Sequence, residues 1–139
     1  MSELNDFRLT NITVLNKKLG EGTFGKVYSS HLKSNKNFKI AFKRLSKKEM
    51  NQYGDYLTKA LKKELQSMQK CDCENSVKFY NYEETKSHYN IIMELCDSDL
   101  SKILSKRPPG FSVDEVRYIM SQLNNAFKKM VENNIIYFN

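Results

Sequence analysis

Residues Leu19-Gly20-Glu21-Gly22-Thr23-Phe24-Gly25-Lys26-Val27-Tyr28 place three glycines at Gly-x-Gly-x-x-Gly spacing. The spacing restricts the fold to those in which a backbone comes close to something bulky and polar, because a Cβ at those positions blocks the approach. A phosphate chain is the usual guest of such a loop. Two folds share the pattern. In a Rossmann unit a helix follows the last glycine and its N-terminus holds a pyrophosphate; in a hairpin lid a strand follows. Here Phe24 sits between the second and third glycines, and Val27, Tyr28 and Leu32 are mixed with polar residues after the third. That segment reads as a strand, and the loop as a hairpin lid over phosphates.

The flanking residues extend the sheet. After an irregular lead-in over 1–10, Ile12, Val14, Leu15 and then Leu19 supply the strand that enters the loop. The polar cluster Ser34-Asn35-Lys36-Asn37 turns the chain into a third strand over 38–45, with Ile40-Ala41-Phe42 at its centre and Lys43 at its inner end. The period then changes. Leu57, Leu61, Leu65 and Met68 fall on one helical face, with Asp55 placed to cap the start after Gly54 and Lys70 suited to the last turn. Glu64 projects along the edge of that buried face. After a loop over 71–76, residues 77–82 and 88–95 read as two more strands joined by the polar turn 83–87. The fold class is therefore α+β: a five-stranded antiparallel sheet with one helix inserted after the third strand, followed by two helices. Asp99 can cap a short helix through Leu100, Ile103 and Leu104, which Arg107-Pro108-Pro109-Gly110 ends. Ser112 and Glu115 form a capping box ahead of a long helix. It carries Val116, Ile119, Met120, Leu123, Phe127, Met130 and Val131 at helical spacing and closes at Asn133-Asn134.

Composition narrows the class. A chain of 139 residues with 40% hydrophobic content is long enough for one domain with a real core. The net charge of +7 comes mainly from lysine and suits any polyanion, from nucleotide to nucleic acid. Lys47-Lys48 and Lys62-Lys63 are short pairs, not a stripe with interleaved aromatics, so a solvated surface is preferred over a nucleic-acid patch. Cys71, Cys73 and Cys96 lack a second ligand pair or a nearby histidine, which excludes zinc spacing and favours free thiols in a reducing compartment. No apolar run is long enough to span a bilayer, and the first six residues have no secretory pattern. The expected location is intracellular, the cytoplasm by default with the nucleus open.

The glycine-rich loop, Ile40-Ala41-Phe42-Lys43, the helix bearing Glu64 and Met93-Glu94-Leu95-Cys96 arrive in an order and with gaps that resemble the protein kinase family, from its start to the middle of its catalytic domain. The hinge and the Leu-rich helices look more like the serine/threonine branch. The resemblance implies a kinase-like N-lobe with a nucleotide pocket and hinge over 11–97, incomplete C-lobe helices over 98–139, and ATP, Mg-bound in the family, as the ligand. Leu19, Gly20, Glu21 and Gly22 lead into the lid, and the backbone amides around Thr23, Phe24 and Gly25 can donate to phosphates. Lys43 offers a point charge to the inner phosphates and needs an acidic partner. Glu64 is on the right side of the right helix for that, while an exposed helix acid beside Lys62 and Lys63 is the other reading. Leu19, Val27 and Ala41 would roof the adenine and also read as sheet core. By resemblance Met93 limits the back of the pocket, and the Glu94 carbonyl and Cys96 amide bond the adenine edge; Cys96 otherwise reads as a small apolar filler. Asp99 meets the ribose or caps its helix. Phe24 reads as a loop-tip lid, and His31 and His88 as surface residues.

Phosphoryl transfer also needs an Asp at the substrate hydroxyl, and an Asn and an Asp on the metal ions. If Ile135-Ile136 aligns with the apolar pair that precedes His-Arg-Asp in the family, Asn139 stands at the catalytic position. An amide does not accept that proton as a carboxylate does. The expected function is an ATP-binding kinase-domain chain of serine/threonine type, truncated before the catalytic loop and unable to transfer phosphate alone, with no catalytic residue and no metal ligand. The alternative is a pseudokinase-like interaction module. A partner or a second copy would then cover the apolar face over 113–131, with residues 7–97 folding by themselves and 98–139 as a marginal tail. No membrane association is expected.

Overall fold

The computed structural model describes residues 6–135. Strands β1 (Ile12–Gly22), β2 (Gly25–Leu32), β3 (Lys39–Ser46), β4 (Phe79–Glu84) and β5 (His88–Glu94) form one antiparallel sheet in the order β1-β2-β3-β5-β4. Helices α1 (Lys47–Asn51) and α2 (Asp55–Lys70) lie between β3 and β4, and α3 (Leu100–Ser105) and α4 (Val113–Glu132) follow β5. The α+β architecture expected from the patterning is the one observed.

Local chemistry accounts for the differences in detail. Helix α1 was not expected. It starts where Ser46 ends β3 and accepts a hydrogen bond from the Glu49 amide at 3.3 Å, an N-cap that the Ser46-x-x-Glu49 spacing encodes. Asp55 does not cap α2. Gly54 occupies the N-cap at φ 77°, and Asp55 is the first helical residue, where its charge suits the helix dipole. Strand β4 lies two residues later than the periodicity suggests, because Glu83 and Glu84 pair with Asn90 and Tyr89 of β5. The lead-in is ordered over Leu9–Asn11 as a single 3-10 turn.

Side-chain alternation divides the sheet into two apolar layers. On the inner face Leu45, Tyr89 and Ile91 pack with Met50 of α1 and Leu61 and Leu65 of α2. On the outer face Ile12, Leu32, Ile40, Phe42 and Ile92 form a second cluster, with Phe42, Ile40 and Ile92 at 0% exposure. Among the described residues the lead-in, and not a helix, packs on this side. Phe7 stacks on Tyr80 with ring centroids 4.3 Å apart, the Asn81 amide donates to the Phe7 carbonyl at 2.9 Å, and the Leu9 amide donates to the Glu83 carboxylate at 2.9 Å. The acidic edge strand is thereby used twice: Glu83 ties down the lead-in and Glu84 pairs with Lys47. Charge on an edge strand also opposes pairing with other chains.

Beyond β5 the caps form as expected. Asp99 accepts from the Lys102 amide at 2.8 Å, and Ser112 and Glu115 make the full capping box of α4. Among the described residues no helix is long and apolar enough to cross a membrane.

Two outer-face residues set opposite expectations for stability. Phe42→Ala opens a cavity at the centre of the outer layer and should cost about 3–5 kcal/mol in urea unfolding. The Ser30 hydroxyl is fully buried with no hydrogen-bond partner among the described residues. Ser30→Ala therefore removes an unpaired polar group and should leave stability unchanged or raise it by about 1 kcal/mol.

Candidate functional site

The glycine-rich segment folds as a tight hairpin. Gly20, Glu21 and Gly22 of β1 pair with Val27, Lys26 and Gly25 of β2, and Thr23-Phe24 make the turn. The three glycines serve different ends. A Cβ on Gly25 would lie 2.1 Å from the Arg44 carbonyl oxygen and 2.9 Å from the Leu45 Cα, so this glycine is required by the approach of β2 to β3. A Cβ on Gly20 or Gly22 would meet nothing within 4 Å. Nothing in the described chain demands glycine there, and the backbone is left bare toward open space. Register shifts flank Lys18 in β1, so Leu19 sits at an irregularity of the ladder.

Register then places the other inner-face residues. Val27 lies opposite Lys43, which lies opposite Ile91; Ser29 lies opposite Ala41, which lies opposite Met93. The Lys43 ammonium stands 3.9 Å from the Glu64 carboxylate of α2. That separation is an ion pair and longer than a hydrogen bond, and the Glu64 side chain is 56% exposed, so the contact adds little stability. Its consequence is positional. Leu61 and Leu65 anchor α2 in the inner core, and Glu64 between them is carried toward the strand that bears Lys43. Leu19 and Val27 are half-buried and Ala41 is 6% exposed, yet none of the three belongs to either hydrophobic cluster. Met93 packs against the inner core at the edge of this zone.

Charge around the hairpin is balanced locally. Glu21 pairs with Lys18 and Lys26, and its hydrogen bond to Lys18 holds the carboxyl below its usual value. The lid therefore carries a neutralised acid beside its glycines. At the strand end the Glu94 carboxylate accepts from the Lys78 amide at 3.0 Å. The Cys96 amide makes no hydrogen bond with the described residues. Cys96 is an exposed free thiol and not a core filler, and desolvation, then the Glu94 and Asp97 carboxylates, push its pKa up. Asp99 is engaged as the α3 cap and by the Lys102 ammonium at 3.0 Å, and the hydrogen bond from the Lys102 backbone leads in holding its carboxyl below the usual range. Nothing described brings Asp99 to the inner face. His31 and His88 are half-buried. Asn139 lies outside the described residues.

Phe24 departs from expectation. Instead of standing free at the loop tip, its ring packs against the inner core and meets Tyr53 edge-on, centroids 5.2 Å apart at 75°. Tyr53 and Ser46 were not among the residues singled out from sequence. The Ser46-x-x-Glu49 cap was legible; an aromatic before Gly54 carries no local pattern that announces its partner 29 positions away. A cavity of about 650 Å³ lies elsewhere, around Phe7, Leu32, Phe38 and Tyr80, and holds none of these site residues.

Comparison with known proteins bears on the same span. Residues 13–139 match the protein kinase domain family. The chain is similar to Aurora kinase of Saccharomyces cerevisiae, 31% identical over 135 residues that cover 96% of this chain and 34% of that protein. It is 30% identical over 141 residues to hormonally up-regulated neu tumor-associated kinase of Homo sapiens, covering 96% and 19% of the two chains. It is 26% identical over 133 residues to serine/threonine-protein kinase PLK4 of Xenopus tropicalis, covering 95% and 13%. The chain thus spans about a third or less of the length of these curated relatives.

The unequal glycines yield a direct check. Gly25→Ala should lower unfolding free energy by about 3 kcal/mol, since a backbone carbonyl must move to admit the methyl. Gly22→Ala should be neutral or gain up to about 1 kcal/mol from the stiffer unfolded chain. Chemical denaturation of the two variants beside the parent chain measures both.

Proposed function

The chain belongs to the protein kinase domain family, and on that premise we propose that its inner cleft binds ATP as serine/threonine kinases do. The observation that carries the proposal is Lys43 within 3.9 Å of Glu64 beside a hairpin whose Gly20 and Gly22 face open space. An ammonium offers three donors, and an ion pair at that separation leaves donors free for an anion. In this reading the backbone amides around Thr23, Phe24 and Gly25 and the Lys43 ammonium hold the phosphates, Leu19, Val27 and Ala41 roof the base with Met93 behind it, and the Glu94 carbonyl and Cys96 amide bond its edge. Asp99 is left to its helix. Residues 11–97 are the proposed binding unit. Magnesium arrives with the phosphates; among the described residues no group of three or more His, Cys, Asp or Glu is placed to hold a metal. Transfer asks in addition for a carboxylate at the substrate hydroxyl and for acid and amide ligands on the metal, and the proposal for these residues stops at binding.

Titration calorimetry with Mg-ATP tests it. The parent chain should bind, and Lys43→Ala should weaken binding roughly 10- to 100-fold, the worth of one charge-assisted contact. Absence of binding in both would end the nucleotide reading.

A second reading, a non-catalytic interaction module, is favoured by α4. Val116, Met120, Phe127 and Val131 are exposed at 45%, 56%, 53% and 74%, an apolar strip that a partner or a second copy would cover. Sedimentation velocity should show concentration-dependent association that Phe127→Glu abolishes. A single monomeric species at every concentration would count against this role.

A further inference from the structure

The contact between Phe24 and Tyr53 joins two parts of the site that are distant in sequence. Phe24 is at the tip of the glycine-rich hairpin, and its carbonyl accepts from the Ser46 amide at 2.9 Å, so the tip continues the β2–β3 ladder. Tyr53 stands at the corner between α1 and α2. The corner is fixed by backbone bonds, Tyr53 N–H to the Met50 carbonyl at 3.0 Å and Gly54 N–H to the Asn51 carbonyl at 3.2 Å, with Gly54 at φ 77° admitting the turn. Met50 is 3% exposed in the inner core, whereas Tyr53 is 62% exposed. The tyrosine is thus a largely solvated ring on a rigid mount, with its contact turned to the lid. The same corner begins the helix that carries Glu64.

We propose that Tyr53 is a positioning residue for the lid: its ring holds Phe24 down, so that the hairpin and α2 move as one body and the height of the loop amides is set from the helix side. This rests on the nucleotide reading above and adds to it a residue that touches no nucleotide. Phosphates lie under the hairpin and respond to its height. The base lies against Leu19, Val27, Ala41 and Met93, none of which belongs to the aromatic pair, and does not respond. An edge-on aromatic pair of this geometry is a specific attraction that an aliphatic residue does not replace.

The test compares Mg-ATP with adenosine on the 139-residue chain and on its Tyr53→Ala and Tyr53→Phe variants, by calorimetry. Tyr53→Ala should weaken Mg-ATP roughly fivefold and leave adenosine within about twofold, and Tyr53→Phe should match the parent because the ring and not the hydroxyl makes the contact. Equal loss for both ligands, no loss, or tighter ATP binding overturns the proposal. A second measurement needs no ligand: hydrogen exchange at the Ser46 amide, which donates to Phe24, should quicken in Tyr53→Ala and stay slow in Tyr53→Phe. Unchanged exchange in Tyr53→Ala overturns the proposal as well. If the parent chain binds neither ligand, the nucleotide reading fails, and the Ser46 exchange alone decides whether Tyr53 holds the lid.

Discussion

Between β2 and the end of β3 there is room at residue 25 for a hydrogen and nothing larger. The ideal Cβ falls 2.1 Å from the Arg44 carbonyl, inside any real contact distance. This approach presses the hairpin onto the strand that bears Lys43, and its consequences run along consecutive residues. Gly25 lies opposite Leu45, the Phe24 carbonyl takes the Ser46 amide, and the Ser46 hydroxyl starts α1. Within four residues of β3, Lys43 to Ser46, the chain sets the charged group, the seat of the lid and the first helix of the insertion. Helix α2 then returns Glu64 to the beginning of that stretch.

Because Glu64 is exposed and the separation is long, the Lys43–Glu64 pair is a poor account of stability and a good account of orientation. Exposed pairs contribute between zero and about 1 kcal/mol. The inner core, by contrast, buries Leu45, Met50, Leu61, Leu65, Tyr89 and Ile91 together, and this is what holds α2 on the sheet. The apolar contacts set where Glu64 is; the ion pair only settles where the Lys43 ammonium rests. Loss of the pair would release the Lys43 ammonium before it disturbed the fold.

Where a signal was periodic, the sequence was legible. Alternation around Ile40-Ala41-Phe42 and the helical spacing of Leu57, Leu61 and Leu65 located the central strand and its helix, and the Ser112/Glu115 box located α4. Signals that depend on a partner were not. Strand β4 extends into Glu83 and Glu84, poor strand formers by composition, because β5 supplies their pairing and the lead-in and Lys47 engage their carboxylates. Asp55 looked like a cap by residue type, but the sharp corner requires positive φ at the cap position, and Gly54 takes it. Helix α1 is too short for periodicity, and its only mark was the Ser46-x-x-Glu49 spacing. In the candidate site the glycines, Lys43 and Glu64 could be named in advance. The inward fold of Phe24 could not, since it needs Tyr53 and the inner core to exist first.

The two readings open for Leu19, Val27 and Ala41, sheet core or a slot for a flat ligand, make different demands on packing. A core residue is surrounded by other apolar side chains and joins their cluster. Ala41 is 6% exposed at the centre of a sheet whose two faces both carry clusters, and it belongs to neither. Its neighbours in register, Ser29 and Met93, are a small polar residue and a flexible thioether, so no bulky branched side chain flanks it in the sheet. Helix α2 and the α1 corner pack on the inner face at Leu45 and Tyr89, and Ala41 lies outside that cluster. The nucleotide reading proposed for the cleft asks for a small residue at position 41, near the glycine hairpin and Lys43.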